Sequence, residues 1–334
     1  MWRTGKFYAC FFIPLFFLSI FSFSQTEKIN FSKIDAYAKS VKGINDPGKL
    51  SKKLTAPYKT DLEKIRSIFR WVAENISYDT KEFHLPESES SYIKLFHKLD
   101  PATKNIDDVY HVELAKYVLK NKKAICEGYA VLFKVLCDSA NLKTEVVHGI
   151  AKNSVSNIGT AMKENHAWNA IFLDNKWQLL DATWASGSCN DSTTIFTKQY
   201  DDFYFLTPPN KLIINHFPTD PKWMLFSNPP LLTQFLSYPL AYKGYFENNI
   251  SSYSPMNGII EARVGNKISF TMNMPIKDSD ISVSSKTGSK NITMKKQEKT
   301  VTYEYIVSSD KDDELDIFLN GKAVFAYRIV VVPK

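Results

Sequence analysis

Cysteine is scarce in this chain, with four in 334 residues, too few for the disulfide framework of a small secreted scaffold. Glycine numbers only 12, and none of them forms a phosphate-binding Gly pattern, which removes the nucleotide-loop classes. The six histidines lack metal-ligand spacing: His84, His97 and His111 stand 13 and 14 positions apart with no paired Cys or acidic ligand in the usual pattern. An EF-hand loop is missing as well. No metal and no cofactor is therefore expected. Glutamine is absent between Gln25 and Gln178, and no internal repeat is visible.

Strong charge of either sign is also lacking. The formal charge is +7, and it falls to +5 once residues 1–24, which hold Arg3 and Lys6 and no acid, are set aside. Basic residues are scattered, with Lys120 to Lys123 and Lys295-Lys296 among the few short clusters. That pattern is a solvated surface, and no nucleic-acid partner is expected. Contact with acidic envelope polymers or a membrane surface stays open.

Long apolar runs are limited to one. Arg3 and Lys6 precede a run from Phe7 to Phe23, and Ser22-Phe23-Ser24 places small residues before Gln25. This reads as a secretory signal peptide over residues 1–24, giving a secreted or periplasmic protein. The run is short for a bilayer span of about 20 residues, so an uncleaved membrane anchor is the alternative. Cys10 lies inside the apolar core, too early for a lipoprotein cysteine.

What is present is a constellation of Cys126, His166 and Asp181. The cysteine stands in Lys123-Ala-Ile-Cys126-Glu-Gly-Tyr-Ala130, and Tyr129, Leu132, Phe133, Leu136 and Cys137 recur at helical spacing. Cys126 is thus predicted at a helix N-terminus, where unpaired backbone N–H groups and the helix dipole favour a thiolate and an oxyanion. Gly128 is expected to let a substrate chain approach the helix end.

His166 opens His166-Ala-Trp-Asn-Ala-Ile-Phe-Leu173, and Trp177-Gln-Leu-Leu-Asp181 follows the turn formers Asp174-Asn175-Lys176. A two-residue turn at Asp174-Asn175 or at Asn175-Lys176 pairs positions whose numbers sum to 349 or 351. Either odd sum puts Asp181 on the face of His166, Trp168 and Ala170, one or two pairs along. A carboxylate there would fix the imidazole tautomer and leave the other ring nitrogen to the thiol.

These segments, with several others in order, resemble the transglutaminase-like superfamily and, within it, the kyphoscoliosis-peptidase type. The likeness runs over Trp71-Val-Ala-Glu-Asn-Ile-Ser-Tyr78-Asp79, Ile125 to Ala130, His166-Ala-Trp168-Asn169 and Leu180-Asp181-Ala-Thr-Trp184. It continues in Asp202 to Pro209, His216-Phe-Pro218 and Pro221-Lys-Trp223, so that it covers residues 60–240. The resemblance implies an α+β fold with a papain-like core. It also implies a cysteine peptidase or amide acyltransferase acting on a protein or peptide, with Cys126 as nucleophile, His166 as base and Asp181 as orienter. Hydrolysis and transamidation both follow from such a triad, and a non-catalytic interaction module keeping the fold is a third reading. The upstream Gln that many thiol acyl-transfer sites use as oxyanion donor is missing, leaving Tyr78 and His84 as candidates.

Residues 25–60 are expected to form a helical extension with a turn at Pro47-Gly48, and residues 61–244 the cysteine domain, beginning with a helix over Asp61 to Asn75. Within it, residues 79–105 read as a loop-rich excursion, Val109 to Lys120 as a helix, and Lys152 to Lys163 as a mobile loop with a lid role. From about Tyr245 short β-branched and aromatic runs, with a hairpin signal at Asn320-Gly321, predict an immunoglobulin-like β-sandwich over residues 245–334. Cys126 and Cys137, 11 residues apart on one helix, stand about 16 Å apart and cannot bridge. Cys137 with Cys189 is a conceivable disulfide, which would leave Cys126 free.

Overall fold

Thr60 opens the first long helix. Its hydroxyl accepts from the Glu63 amide at 3.3 Å while the Glu63 carboxylate accepts from the Thr60 amide at 3.2 Å, a reciprocal cap that satisfies two otherwise unpaired donors. The helix Asp61–Asn75 buries Ile65, Ile68, Phe69 and Val72 completely, as its 3.6-residue apolar period requires. A computed structural model describes residues 30–190, 192–275, 281–285, 288–291, 295–311 and 313–333 of the chain. The expected signal peptide over residues 1–24 lies outside the described residues.

Two helices, Ser32–Ser40 and Pro47–Thr55, precede it. The second overturns the turn expected at Pro47-Gly48. Asp46 caps it by accepting from the Lys49 amide at 2.8 Å, and Pro47 occupies the first helical position, where a missing N–H and a fixed φ favour helix rather than turn. Arg66, itself buried, forks onto both Asp35 oxygens at 2.7 and 2.6 Å and also binds Asp202. That fork joins the first helix, the long helix and the 202–204 turn.

The cysteine helix, Cys126–Asp138, is buried on almost every side. It packs between Asp61–Asn75, the helix Ile106–Asn121 and one face of a four-stranded antiparallel sheet. That sheet runs Lys176–Leu180, His166–Leu173, Thr144–Ala151, His216–Pro218 in spatial order. The hairpin register pairs Leu173 with Lys176 and Asn169 with Leu180, so the turn is Asp174-Asn175. Both turn residues have positive φ, 51° and 60°, the turn whose twist matches the flanking strands. The excursion at residues 79–105 holds two short helices, Thr80–Phe83 and Ser91–Phe96.

The C-terminal part is a β-sandwich. One sheet contains Ser252–Ser254, Lys267–Asn273, Thr300–Ile306 and Lys295–Gln297. The other contains Ile259–Ala262, Lys322–Val331, Glu314–Leu319, Ile281–Ser285 and Gly288–Asn291. Alternation along the strands turns Ile268, Phe270 and Met272 inward against Tyr303, Leu315, Ile317 and Phe325. Asn320-Gly321 forms the expected hairpin turn, with φ of 52° and 74°. One pair departs from the antiparallel expectation: Ile259–Ala262 runs parallel to Lys322–Val331. Leu240–Ala241 also joins this sheet, opposite Phe325–Ala326, so the strands recruit chain from before residue 245.

The segment 152–163 is fastened at its middle. Ile158 is fully buried with Leu240 and Ala326, and the Gly159 amide donates to the Leu236 carbonyl at 2.8 Å. Lys152 at its start is fully buried and donates to the Phe235 and Tyr238 carbonyls, both at 2.8 Å. Burial brings its pKa down from 10.5 to about 7. The unfolded chain therefore binds the extra proton between those values, and the native state gains stability as pH rises from about 7 toward 10.5. A Lys152→Met variant loses that slope. Whatever offset the two lost hydrogen bonds impose, its stability relative to the parent should worsen by up to about 1.4 kcal/mol per pH unit across that window, as read by urea unfolding at several pH values.

Cys126, Cys137 and Cys189 are all free thiols. The conceivable Cys137–Cys189 disulfide is not formed: Cys137 is sealed in the helix core, where burial pushes its thiol pKa up, and Cys189 lies half-buried on the strand Gly187–Cys189. Among the described residues no helix is long and apolar enough to cross a membrane.

Candidate active site

The short parallel pairing of Ser77–Tyr78 with Lys123–Ala124 steers the chain into the cysteine helix. No side chain of its own caps the helix; instead Tyr92 places its hydroxyl against the preceding amide, accepting from Ile125 N at 3.1 Å. Cys126 is thus the first helical residue, half-buried, beside amides that have no partner within the helix.

His166 and Asp181 meet as the hairpin register requires. Asp181 stands just past Leu180, one pair along from His166 on the same face, and its Oδ2 accepts from His166 Nε2 at 2.7 Å. Its Oδ1 accepts from the amides of Thr183 and Trp184 at 2.8 and 3.0 Å, so the carboxylate also caps the short helix Ala182–Ser186. With Nε2 committed to Asp181, Nδ1 is the ring nitrogen left for Cys126, whose thiol lies close enough to the imidazole to raise its pKa. Burial alone would strip the His166 proton. The Asp181 charge and hydrogen bond outweigh it and, with Cys126, push the imidazole up to about 10. Burial would likewise raise Asp181, but the two imidazoles bound to it, His166 foremost, hold its carboxyl well below the usual carboxylate range.

The second imidazole is His216, which pairs with Ala151 at the sheet's far edge and donates from Nε2 to the same Asp181 Oδ2 at 3.1 Å. Sequence reasoning placed it in a matched motif without a role. Its signal was there in His216-Phe-Pro218, but only strand order brings it, 35 residues downstream, onto Asp181. Rings enclose the cluster: Trp168 stacks on His166 with centroids 5.8 Å apart, and Trp184 lies 4.4 Å from His216. His166, Asp181 and His216 form a set whose donor atoms lie within 4.8 Å of one another. A metal there would have to take the one carboxylate oxygen that both imidazoles already bind.

Residues 48–182 match the sequence model of the transglutaminase-like superfamily. Kyphoscoliosis peptidase of Homo sapiens is 30% identical over 232 residues, 69% of this chain and 32% of that protein, and its counterpart in Mus musculus is 30% identical over 244 residues, 72% and 33%. This chain belongs to the transglutaminase-like superfamily. It is of the kyphoscoliosis-peptidase type. Hillarin of Drosophila melanogaster is 26% identical over 242 residues, 66% of this chain and 26% of that protein. The chain spans about a third of the length of the curated relatives it matches best among these.

Within the transglutaminase-like domain, Asn169 ties the histidine strand to the cysteine helix by donating to the Ala130 carbonyl at 3.0 Å, which fixes the spacing of the two elements that carry Cys126 and His166. Tyr78 is the sequence candidate that the fold brings to the thiol. Burial first, and then the Cys126 and Cys189 thiols, push its phenol pKa up, so it keeps a proton to donate. His84 is not brought there; its Nε2 pairs with the Ser192 carbonyl at 3.2 Å on the exposed excursion.

Gly128 has a different reason from the one expected. A β-carbon there would lie 2.3 Å from the Tyr92 hydroxyl, 2.8 Å from Ala124 and 2.9 Å from Val118, so the missing side chain admits neighbouring helices rather than substrate. Gly128→Ala should destabilise the protein by about 1–3 kcal/mol and disturb the Tyr92–Ile125 contact, measurable as a lowered urea midpoint.

Proposed function

We propose that this protein is a cysteine peptidase acting on amide bonds of protein or peptide substrates through Cys126, His166 and Asp181. The observation that carries the reading is the Asp181 bond to His166 Nε2, which leaves the other imidazole nitrogen available to a thiol at a helix N-terminus. In this reading the thiol proton passes to His166 and the Cys126 sulfur attacks the carbonyl carbon. The resulting oxyanion is met by the helix N-terminal amides and the Tyr78 hydroxyl. His166 then gives its proton to the departing amine as the C–N bond breaks, leaving a thioester. Water, deprotonated by His166, releases the acid and restores the thiol.

The test is to incubate the protein with a denatured protein substrate and map new chain termini by mass spectrometry. New termini that disappear in Cys126→Ala support the peptidase. Amines incorporated at glutamine instead would assign transamidation, and neither product would favour an interaction module. We further propose export through the leader at residues 1–24; N-terminal sequencing of protein from the native host should begin near Gln25, and a chain starting at Met1 would refute cleavage.

A further inference from the structure

Asp181 is the most heavily bonded carboxylate of the site, and one of its four donors is unexplained by the triad. Oδ1 accepts two backbone amides, and Oδ2 accepts His166 at 2.7 Å and His216 at 3.1 Å. His216 is 2% exposed and walled by Trp168, Trp184 and Tyr204. A phenyl ring would satisfy such surroundings without polar cost. The imidazole instead carries a buried Nδ1 which, although the Leu212 carbonyl is near, makes no hydrogen bond of acceptable geometry. Leaving a buried polar atom unpaired is costly, so the ring's retained polarity points to its other nitrogen, the one on Asp181.

We infer that His216 is a positioning residue of the catalytic site: as a neutral imidazole it donates Nε2–H to the Asp181 oxygen that orients His166, holding that carboxylate ionised and in line. The inference rests on the triad reading and adds a fourth member to it. Burial outweighs the pull of Asp181 and holds the His216 pKa below its ordinary value, so the ring lends a hydrogen bond without becoming a second cation competing for the carboxylate. The other titratable groups facing Asp181 come from separate elements and cannot replace it. His166 is on the neighbouring strand and is the group being oriented. The phenols of Tyr78, Tyr129 and Tyr204 all lie near Asp181, and burial first raises the pKa of each; Tyr129 donates instead to the Ile76 carbonyl at 2.7 Å. Without His216, Oδ2 keeps a single donor and Asp181 binds a proton more readily, so His166 loses its anchor at a higher pH.

The experiment compares the full chain with His216→Phe, which keeps an aromatic ring and removes the donor, and His216→Gln, whose amide can restore an N–H near the same point. The readout is the rate of Cys126 alkylation by iodoacetamide from pH 4 to 9, by peptide mass, with His166→Ala as the control. His216→Phe should react roughly tenfold or more slowly near neutrality, the loss expected of a charge-assisted hydrogen bond. Its acid limb should move to higher pH, and His216→Gln should recover most of the rate and the limb. Equal rates and an unmoved limb in all three overturn the inference. So does an equal loss of thermal stability in both variants with the profile unchanged, which would make His216 a packing residue. If His166→Ala itself leaves alkylation unchanged, it is the triad reading that fails. If His216→Phe does not fold, His216→Leu takes its place in the same comparison: a slowed, shifted profile that His216→Gln restores supports the inference, and a parental profile in both overturns it.

Discussion

Asp181→Asn should slow alkylation of Cys126 at pH 7 by roughly tenfold or more, the loss expected when a charge-assisted hydrogen bond to the imidazole is removed, and should abolish turnover of any substrate. The amide cannot reproduce the carboxylate. Its oxygen would take the place of Oδ1, which the Thr183 and Trp184 amides hold, so its NH2 would be turned against the Nε2 atoms of His166 and His216. Donor would face donor. His166 would have to carry its proton on Nδ1, the nitrogen needed as base, and a wrong tautomer of this kind costs on the order of 10⁴ in a hydrolase of this logic. Alkylation of Asp181→Asn at the parental rate would remove Asp181 from the mechanism.

The same variant should change the pH dependence of stability. His166 keeps its proton to about 10 in the fold against an ordinary 6.5, so its contribution is complete below about 6.5 and is lost as pH rises toward 10. Asp181 is depressed from an ordinary 3.8, so its contribution is present above about 3.8 and lost in stronger acid. Both limbs describe one ion pair. In Asp181→Asn both should flatten, as followed by denaturant unfolding across pH.

A chain ending at Tyr242 should fail to give a cooperative unfolding transition. The sandwich core receives Ile214, two residues before His216, and Phe246 of the sandwich stacks on Phe203 at 3.7 Å, next to Tyr204 beside His216. Ile158, on the segment leading to His166, is buried against Leu240 and Ala326. Exposing Ile158, Ile214, Phe203 and Leu240 would forfeit about 6–12 kcal/mol at 1.5–3 kcal/mol for each side chain, comparable with the whole stability of a domain. The expected result is an aggregating or molten chain whose Cys126 no longer responds to His166→Ala. A truncated chain melting within a few degrees of the full protein would make the sandwich a separable module.

Local chemistry made much of this protein legible before any coordinates. The helical period from Tyr129 to Cys137 located Cys126 at a helix start, because a 3.6-residue repeat has an unambiguous beginning. Parity placed Asp181 on the face of His166, because a two-residue turn admits only an odd pairing sum and strands alternate with period 2. The turn at Asn320-Gly321 is equally local. Pro47-Gly48 was misread because a proline serves a turn and a helix's first position equally well, and it is Asp46 at the cap that decides for the helix.

What only the tertiary structure decided depends on segments distant in sequence. His216 reaches Asp181 because His216–Pro218 pairs with Thr144–Ala151 rather than with the hairpin next to it, a choice of strand order that no periodicity encodes. Gly128 packs against Tyr92, Ala124 and Val118, and only helix packing shows that its missing β-carbon faces inward. Of the two oxyanion candidates, Tyr78 is brought beside the thiol by a two-residue parallel bridge to Lys123–Ala124, while His84 is carried out with the excursion. Residue type and spacing determined the chemistry available to this protein; non-local pairing and packing, whose energies depend on partners far along the chain, decided which side chains share the site.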